Sequence, residues 1–253
     1  MMRKLLAAGL TAALLVGAAS AYAQEEEALP HLDWSFYGIF GTYDRAAAQR
    51  GFQIYNEVCS NCHSLNLLTY GDLTDLGFTQ DQVKAIAAAK QVPDTDDSGQ
   101  PIQRPALPSD HFVAPFPNVK AARAANNGAL PPDLSLIIKA REGGPDYVHG
   151  ILTGYINPPA GFHLGDGMNY NEYFPGHQIA MPQPLSDNSV TFADGTPALL
   201  DEEATDVVTF LSWAAEPKLE ERHRTGLKAV LFLIAMTGVL YGAKRRIWSE
   251  VEH

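Results

Sequence analysis

The sequence predicts a mainly α-helical body with long irregular loops, followed by one membrane-spanning helix near the C-terminus. Three observations carry that prediction. Capped helical segments recur along the chain, from Asp44 to Ala215. Convincing period-two strands are few, with Val190 to Phe192 the best of a poor set. Ala229 to Ala243 is an apolar run without a charge.

The helices follow in order. Asp44 can cap a helix from Arg45 to about Val58, rich in Ala46, Ala47, Gln49 and Arg50. Thr79 and Gln82 are spaced as a capping box for a helix running to Lys90. Asn118 can cap Val119 to Asn126, with Gly128 as the stop. Pro132 and Asp133 are suited to open a helix that ends at Gly143 and Gly144, and a short helix runs from Asp146 to Thr153. Asp201 to Ala215 places Ala204, Val207, Val208, Leu211 and Ala215 on one stripe, and Pro217 ends it. Between these helices lie two long Pro- and Gly-rich stretches, 93–117 and 158–184. Loops of that length are unusual in a compact domain unless something other than side chains fills its core.

The two ends of the chain read differently from the middle. Residues 1–23 have the form of a cleaved signal peptide: Arg3 and Lys4, an apolar run, then Ala21-Tyr22-Ala23 before Gln24. Residues 24–217 would then form an exported body. Residues 218–253 form the anchor, with a span at about 226–243 and a short tail. The span is 18 residues, a rise of about 27 Å against a hydrocarbon core of about 30 Å. Lys228 can snorkel its amine to the surface, Lys244, Arg245 and Arg246 form a stop, and Tyr241 and Trp248 sit where interfacial aromatics belong. A buried core helix is the competing reading of this run. With the signal peptide, the body faces the periplasm and the basic tail the cytoplasm of a bacterial inner membrane.

Charge is unevenly placed. Residues 24–215 carry 9 basic and 24 acidic side chains, whereas residues 216–253 carry 7 basic and 5 acidic ones. That acidity argues against a nucleic-acid partner, because phosphate contacts need clustered Lys and Arg. It favours a cationic one. The acidic runs are Glu25 to Glu27, Asp72 with Asp75 and Asp81, Asp94 with Asp96 and Asp97, and Asp201 to Glu203.

The chemistry concentrates in Cys59-Ser60-Asn61-Cys62-His63, the C-x-x-C-H signature of covalent c-type haem attachment. Two Cys three apart at a helix end put both sulfurs on one side, where they can add to two vinyl groups. The next residue then offers an imidazole to the iron. Both cysteines of the chain lie here. A thioredoxin-like site would need a βαβ context and a structural zinc site a second ligand pair, and neither is present. A second axial ligand would close the iron for electron transfer, whereas an open site would suit ligand binding or peroxide chemistry. Met168 and Met181 are the methionine candidates, and His31, His111, His149, His163 and His177 are the imidazole ones.

Longer runs point to a family. Residues 121–135, 140–144, 152–155, 173–176, 179–182 and 210–217, together with the C-terminal anchor, resemble cytochrome c1 over nearly the whole mature chain. The resemblance implies a cytochrome c-like haem domain with one covalent haem c. His63 and Met181 match the axial ligands. Arg141 matches a residue that pairs with a haem propionate, which suits the charge-assisted fork of a guanidinium. Tyr147, Asn126 and Pro131 match haem-pocket positions. Some bacterial members carry an extra Cys pair near the Met-bearing loop, and this chain has none, so rigidity there must come from Pro and packing. The resemblance further implies a redox subunit of quinol–cytochrome c oxidoreductase, with no bond-making catalysis of its own. It would sit in a dimeric complex with cytochrome b and a Rieske iron–sulfur protein. One electron would arrive from the Rieske protein and leave to a soluble basic c-type cytochrome, in respiratory or photosynthetic electron transport.

Overall fold

The structure, a computed structural model, describes residues 28–250. The expected signal peptide and cleavage site, and Glu25 to Glu27, lie outside the described residues. The core is built on two crossed helices, α1 (Arg45–Glu57) and α6 (Leu200–Ala215). Asp44 caps α1 as expected, its Oδ1 accepting from the amides of Ala46 at 2.9 Å and Ala47 at 3.1 Å. The first turn of α6 carries Asp201, Glu202 and Glu203, which suits the positive end of a helix dipole.

Gly51 lets the two backbones meet: a Cβ there would lie 2.0 Å from the carbonyl oxygen of Asp206. Beside it Arg50 grips Asp206 in a bidentate pair, at 2.6 Å through Nε and 2.9 Å through Nη2. Burial raises the Asp206 carboxyl, and the guanidinium opposes that rise. Around this contact Phe52, Tyr55, Phe112, Phe210 and Trp213 form a ladder of rings. Removing each such ring from water contributes about 1.5–3 kcal/mol.

Smaller elements surround that pair. α2 (Gln80–Ala88) has the expected Thr79–Gln82 capping box. α3 (Val119–Ala125) is capped by Asn118, which accepts from the amide of Ala121 at 3.0 Å. α4 (Ile137–Ala140) and α5 (Gly144–Thr153) follow. The helix expected from Pro132 to Gly143 shrinks to α4. Asp133 is the reason: its carboxylate takes hydrogen bonds from Ser64, Asn66 and Ser135 and so holds the preceding residues out of helix.

Two antiparallel hairpins stand where loops were expected. β1 (Gln91–Thr95) pairs with β2 (Pro101–Pro105), and β3 (Asn169–Tyr170) with β4 (Gln178–Ile179). Pro93, Pro101 and Pro105 obscure the first hairpin in the sequence, and a two-stranded surface ribbon tolerates them because both strands are edges. Val190 to Phe192 is not a strand. The Val190 amide donates to the buried carboxylate of Glu203 at 3.2 Å instead of to a neighbouring chain.

α7 (Leu219–Ile247) is a single helix of 29 residues, about 43 Å long. Its apolar window has a mean hydropathy of 1.7, and none of that window is covered by the rest of the chain. A long apolar helix that the body leaves uncovered is a candidate membrane span and not a core helix of that body. Its base is clamped to the body through Arg45–Glu220 at 2.9 Å, Lys218–Asp75 at 3.2 Å and the buried side chain of Leu219.

The crossing at Gly51 sets a test. Alanine for glycine inside a helix ordinarily stabilises by about 1 kcal/mol. Here overpacking should win by about 1–3 kcal/mol, so Gly51→Ala should lower the thermal midpoint of the body. A raised midpoint would show that the helices are not in contact there.

Candidate functional site

The Cys–His motif is a tight 3-10 turn that directly follows α1. The amides of Cys62 and His63 both donate to the carbonyl of Cys59, at 3.1 and 2.9 Å. A helix end leaves carbonyls without partners. Here the two residues between the cysteines supply them: Ser60 Oγ donates to the carbonyl of Asn56 at 2.8 Å, and Asn61 Nδ2 to those of Glu57 and Val58 at 3.0 Å. Both cysteines are free thiols. Cys59 packs against the core, and burial pushes its thiol up to about 12, whereas Cys62 is exposed.

His63 is half-buried, and its Nδ1 donates to the carbonyl of Pro132 at 2.8 Å. That bond assigns the proton to Nδ1 and leaves Nε2 as a lone-pair donor. Burial lowers the imidazole pKa, which favours the neutral, ligating ring. Its backbone is held as well, since the phenol of Tyr55 donates to the His63 carbonyl at 3.2 Å.

The Pro132 carbonyl is placed by Asp133, whose functional importance escapes the sequence reading. Ser64 Oγ and the Asn66 amide donate to one oxygen at 2.7 and 2.9 Å, and the Ser135 amide to the other at 2.9 Å. Burial pushes that carboxyl up, but these bonds bring it below the usual range. The result ties residues 131–135 to the turn after the cysteines. Pro131 is half-buried in this segment, and Leu130 before it is an exposed apolar residue.

Met181 follows β4 and is half-buried. Its carbonyl accepts from the Tyr155 hydroxyl at 2.9 Å and from Asn169 Nδ2 at 3.3 Å. Neither residue is a candidate by its own chemistry. The only hint is position, with Tyr155 closing the run 152–155 and Asn169 following Met168. Both hydrogen bonds, with the β3–β4 pairing, tie down the main chain of that loop.

The remaining candidates are scattered. Arg141 caps the end of α4, exposed, with Nη1 donating to the Ala140 carbonyl at 3.1 Å. No carboxylate pairs with it among the described residues, which leaves its fork for an outside anion. Tyr147 packs against the core one helix on; burial raises its phenol and the nearby Arg141 charge opposes the rise. Asn126 spends its amide on the Ala122 carbonyl at 2.7 Å, as a cap for α3, and no hydrogen bond joins it to the Cys–His turn. His149 is buried on α5 against Trp34, and its Nε2 lies 3.2 Å from Asp201 at an angle too poor for a hydrogen bond. The acidic runs are partly neutralised: Arg104 pairs with Asp94 and Asp110, Lys218 with Asp75, and Glu203 is buried.

These residues fit a covalent haem. Two unpaired thiols flank a turn, an imidazole is held with Nε2 free, and the Arg141 guanidinium lacks a carboxylate partner among the described residues. Comparisons with known proteins point to a family that carries haem. The model of the Cytochrome C1 family matches residues 34–251. Cytochrome c1 of Rhodospirillum rubrum is 44% identical over 268 residues, covering 99% of this chain and 98% of that one. The mitochondrial cytochrome c1, heme protein, of Saccharomyces cerevisiae is 47% identical, covering 88% of this chain and 73% of that one. Cytochrome b/c1 of Bradyrhizobium diazoefficiens is 44% identical over 244 residues, covering 87% of this chain and 36% of that one. The chain belongs to the cytochrome c1 family.

Proposed function

We propose that this chain is the membrane-anchored, haem-bearing electron-transfer subunit of a bacterial cytochrome bc1 complex. The observation that carries the reading is the Cys59–His63 turn, with His63 Nδ1 held by the Pro132 carbonyl at 2.8 Å. A relative of this family is named a heme protein, and another is named cytochrome b/c1, which supports cytochrome b as a partner.

Bound haem c supplies reversible one-electron chemistry at its iron. The chain's own residues do the rest. The sulfurs of Cys59 and Cys62 would hold the ring through thioether bonds. His63 offers Nε2, oriented by its bond to Pro132, and Met181 offers its sulfur from a loop pinned by Tyr155 and Asn169. With His63 and Met181 both holding the iron, the haem would be kept to electron transfer. Arg141 offers its fork to a propionate, and Tyr147, Asn126 and Pro131 belong to the pocket wall. The chain takes one electron from a Rieske iron–sulfur protein and delivers it to a soluble, basic c-type cytochrome. Residues 1–23 are removed on export, residues 24–217 form the periplasmic body, and residues 218–253 anchor it in the inner membrane. The complex is a dimer and serves respiratory or photosynthetic electron transport as a quinol–cytochrome c oxidoreductase.

A redox titration tests the ligand set. Histidine is a stronger donor to the oxidised iron than methionine, so Met181→His should lower the midpoint potential by on the order of 0.1 V or more, within the ~0.8 V that axial ligands span. An unchanged midpoint would remove Met181 from the iron. Tyr155→Phe removes one hydrogen bond, worth about 1 kcal/mol. The Met-dissociated population should rise about fivefold, read as carbon monoxide binding by the ferrous protein at neutral pH. Carbon monoxide binding by the unsubstituted chain would instead mean an open site. Electron transfer to a basic cytochrome c should slow as salt shortens the Debye length from ~30 Å at 0.01 M to ~8 Å at 0.15 M. A rate indifferent to salt would exclude electrostatic docking on the acidic body.

A further inference from the structure

A short loop at the base of the body carries apolar side chains that the body does not cover. Residues 35–42 close on themselves through backbone hydrogen bonds: Tyr37 to the Trp34 carbonyl at 3.0 Å, Gly41 to Gly38 at 3.2 Å, and Thr42 to Ser35 at 3.0 Å. Phe36 beneath the loop is buried, stacked on Trp34 with 5.5 Å between ring centres. At the tip, Ile39 and Phe40 are 72% and 73% exposed, more than any other large apolar residue outside α7 among the described residues. A rigid tip with two adjacent bare apolar side chains is costly in water.

The loop is fixed against the root of the membrane helix. His223 Nδ1 donates to the Gly41 carbonyl at 3.3 Å, and Glu220, one turn earlier, accepts from the Tyr43 amide at 2.9 Å and pairs with Arg45. These contacts define the face of α7 that the loop meets. The same face continues through Leu227 and Val230, four and seven residues beyond His223, or about 6 and 10 Å along the axis. Both are exposed apolar residues of the membrane-spanning stretch. Arg224 and Lys228 lie at this level too, and neither has a carboxylate partner among the described residues. Cations there suit a layer of lipid phosphates.

We propose that residues 37–41 form a second membrane contact, with Ile39 and Phe40 seated at the headgroup–acyl boundary beside α7. The occupant of this apolar surface is lipid. The loop sits on the face of α7 that runs without interruption into the span, at the depth where that helix leaves the bilayer. The inference rests on the membrane-anchored reading of α7 and adds to it a fixed height and tilt of the body.

The test uses the holoprotein in its complex, reconstituted into phosphatidylethanolamine–phosphatidylglycerol bilayers. A nitroxide is placed at Phe40→Cys, with Asp97→Cys on the first hairpin as an aqueous control and Val239→Cys as a control inside the span. Cys59 and Cys62 are consumed by haem, and the unsubstituted complex gives the labelling background. Collision with oxygen and with a water-soluble nickel chelate reports the surroundings of each label. The oxygen-to-nickel ratio at position 40 should exceed that at 97 several-fold and approach that at 239. A ratio at 40 equal to that at 97, with 239 in lipid, overturns the loop contact while the anchor stands. A label at 40 shielded from both reagents means a protein interface and also overturns it. If 239 reads as aqueous, the anchor and the loop contact fail together.

Discussion

Everything in this molecule hangs from the place where α1 and α6 touch at Gly51. The contact is close because glycine has no side chain to hold the backbones apart. It is locked in register by the Arg50–Asp206 pair and by rings on both sides. One helix of the pair ends in the Cys–His turn. The other leads, after three residues, into the membrane helix. The same contact therefore positions both the redox site and the anchor. An error of one turn in that register would move the cysteines relative to the membrane and also expose the Phe210–Trp213 layer to water.

The site itself is less a cavity than a set of held backbones. His63 is fixed at its ring by Pro132 and at its carbonyl by Tyr55. Pro132 is fixed through Asp133, and Met181 through Tyr155 and Asn169. Each candidate ligand thus has its main chain tied by a polar side chain from elsewhere in the fold. Outer partners of this kind set a ligand's tautomer, orientation and basicity. They also tie down two distant segments of a chain with long irregular loops.

The local signals that the sequence states outright are those with short-range causes. Asp44, Thr79 and Asn118 cap their helices because a cap needs only the next few residues. The Cys–His turn reads directly for the same reason. What escaped the sequence depends on partners far along the chain. Asp133 reads as a helix opener, yet its carboxylate is taken by Ser64 and Asn66, some seventy positions earlier. Val190 reads as a strand, yet its amide is claimed by Glu203. The Pro-bearing hairpin of β1 and β2 reads as loop because proline is barred from interior strands but not from a two-stranded ribbon. The importance of Tyr155 and Asn169 came from tertiary hydrogen bonds alone.

The junction between α6 and α7 contains no slack. Glu216 is pinned by Lys139 and Arg222, and Lys218 by Asp75, so the passage from body to anchor is riveted and not hinged. Body and α7 therefore tilt as one piece, and the Cys–His turn at the end of α1 goes with them.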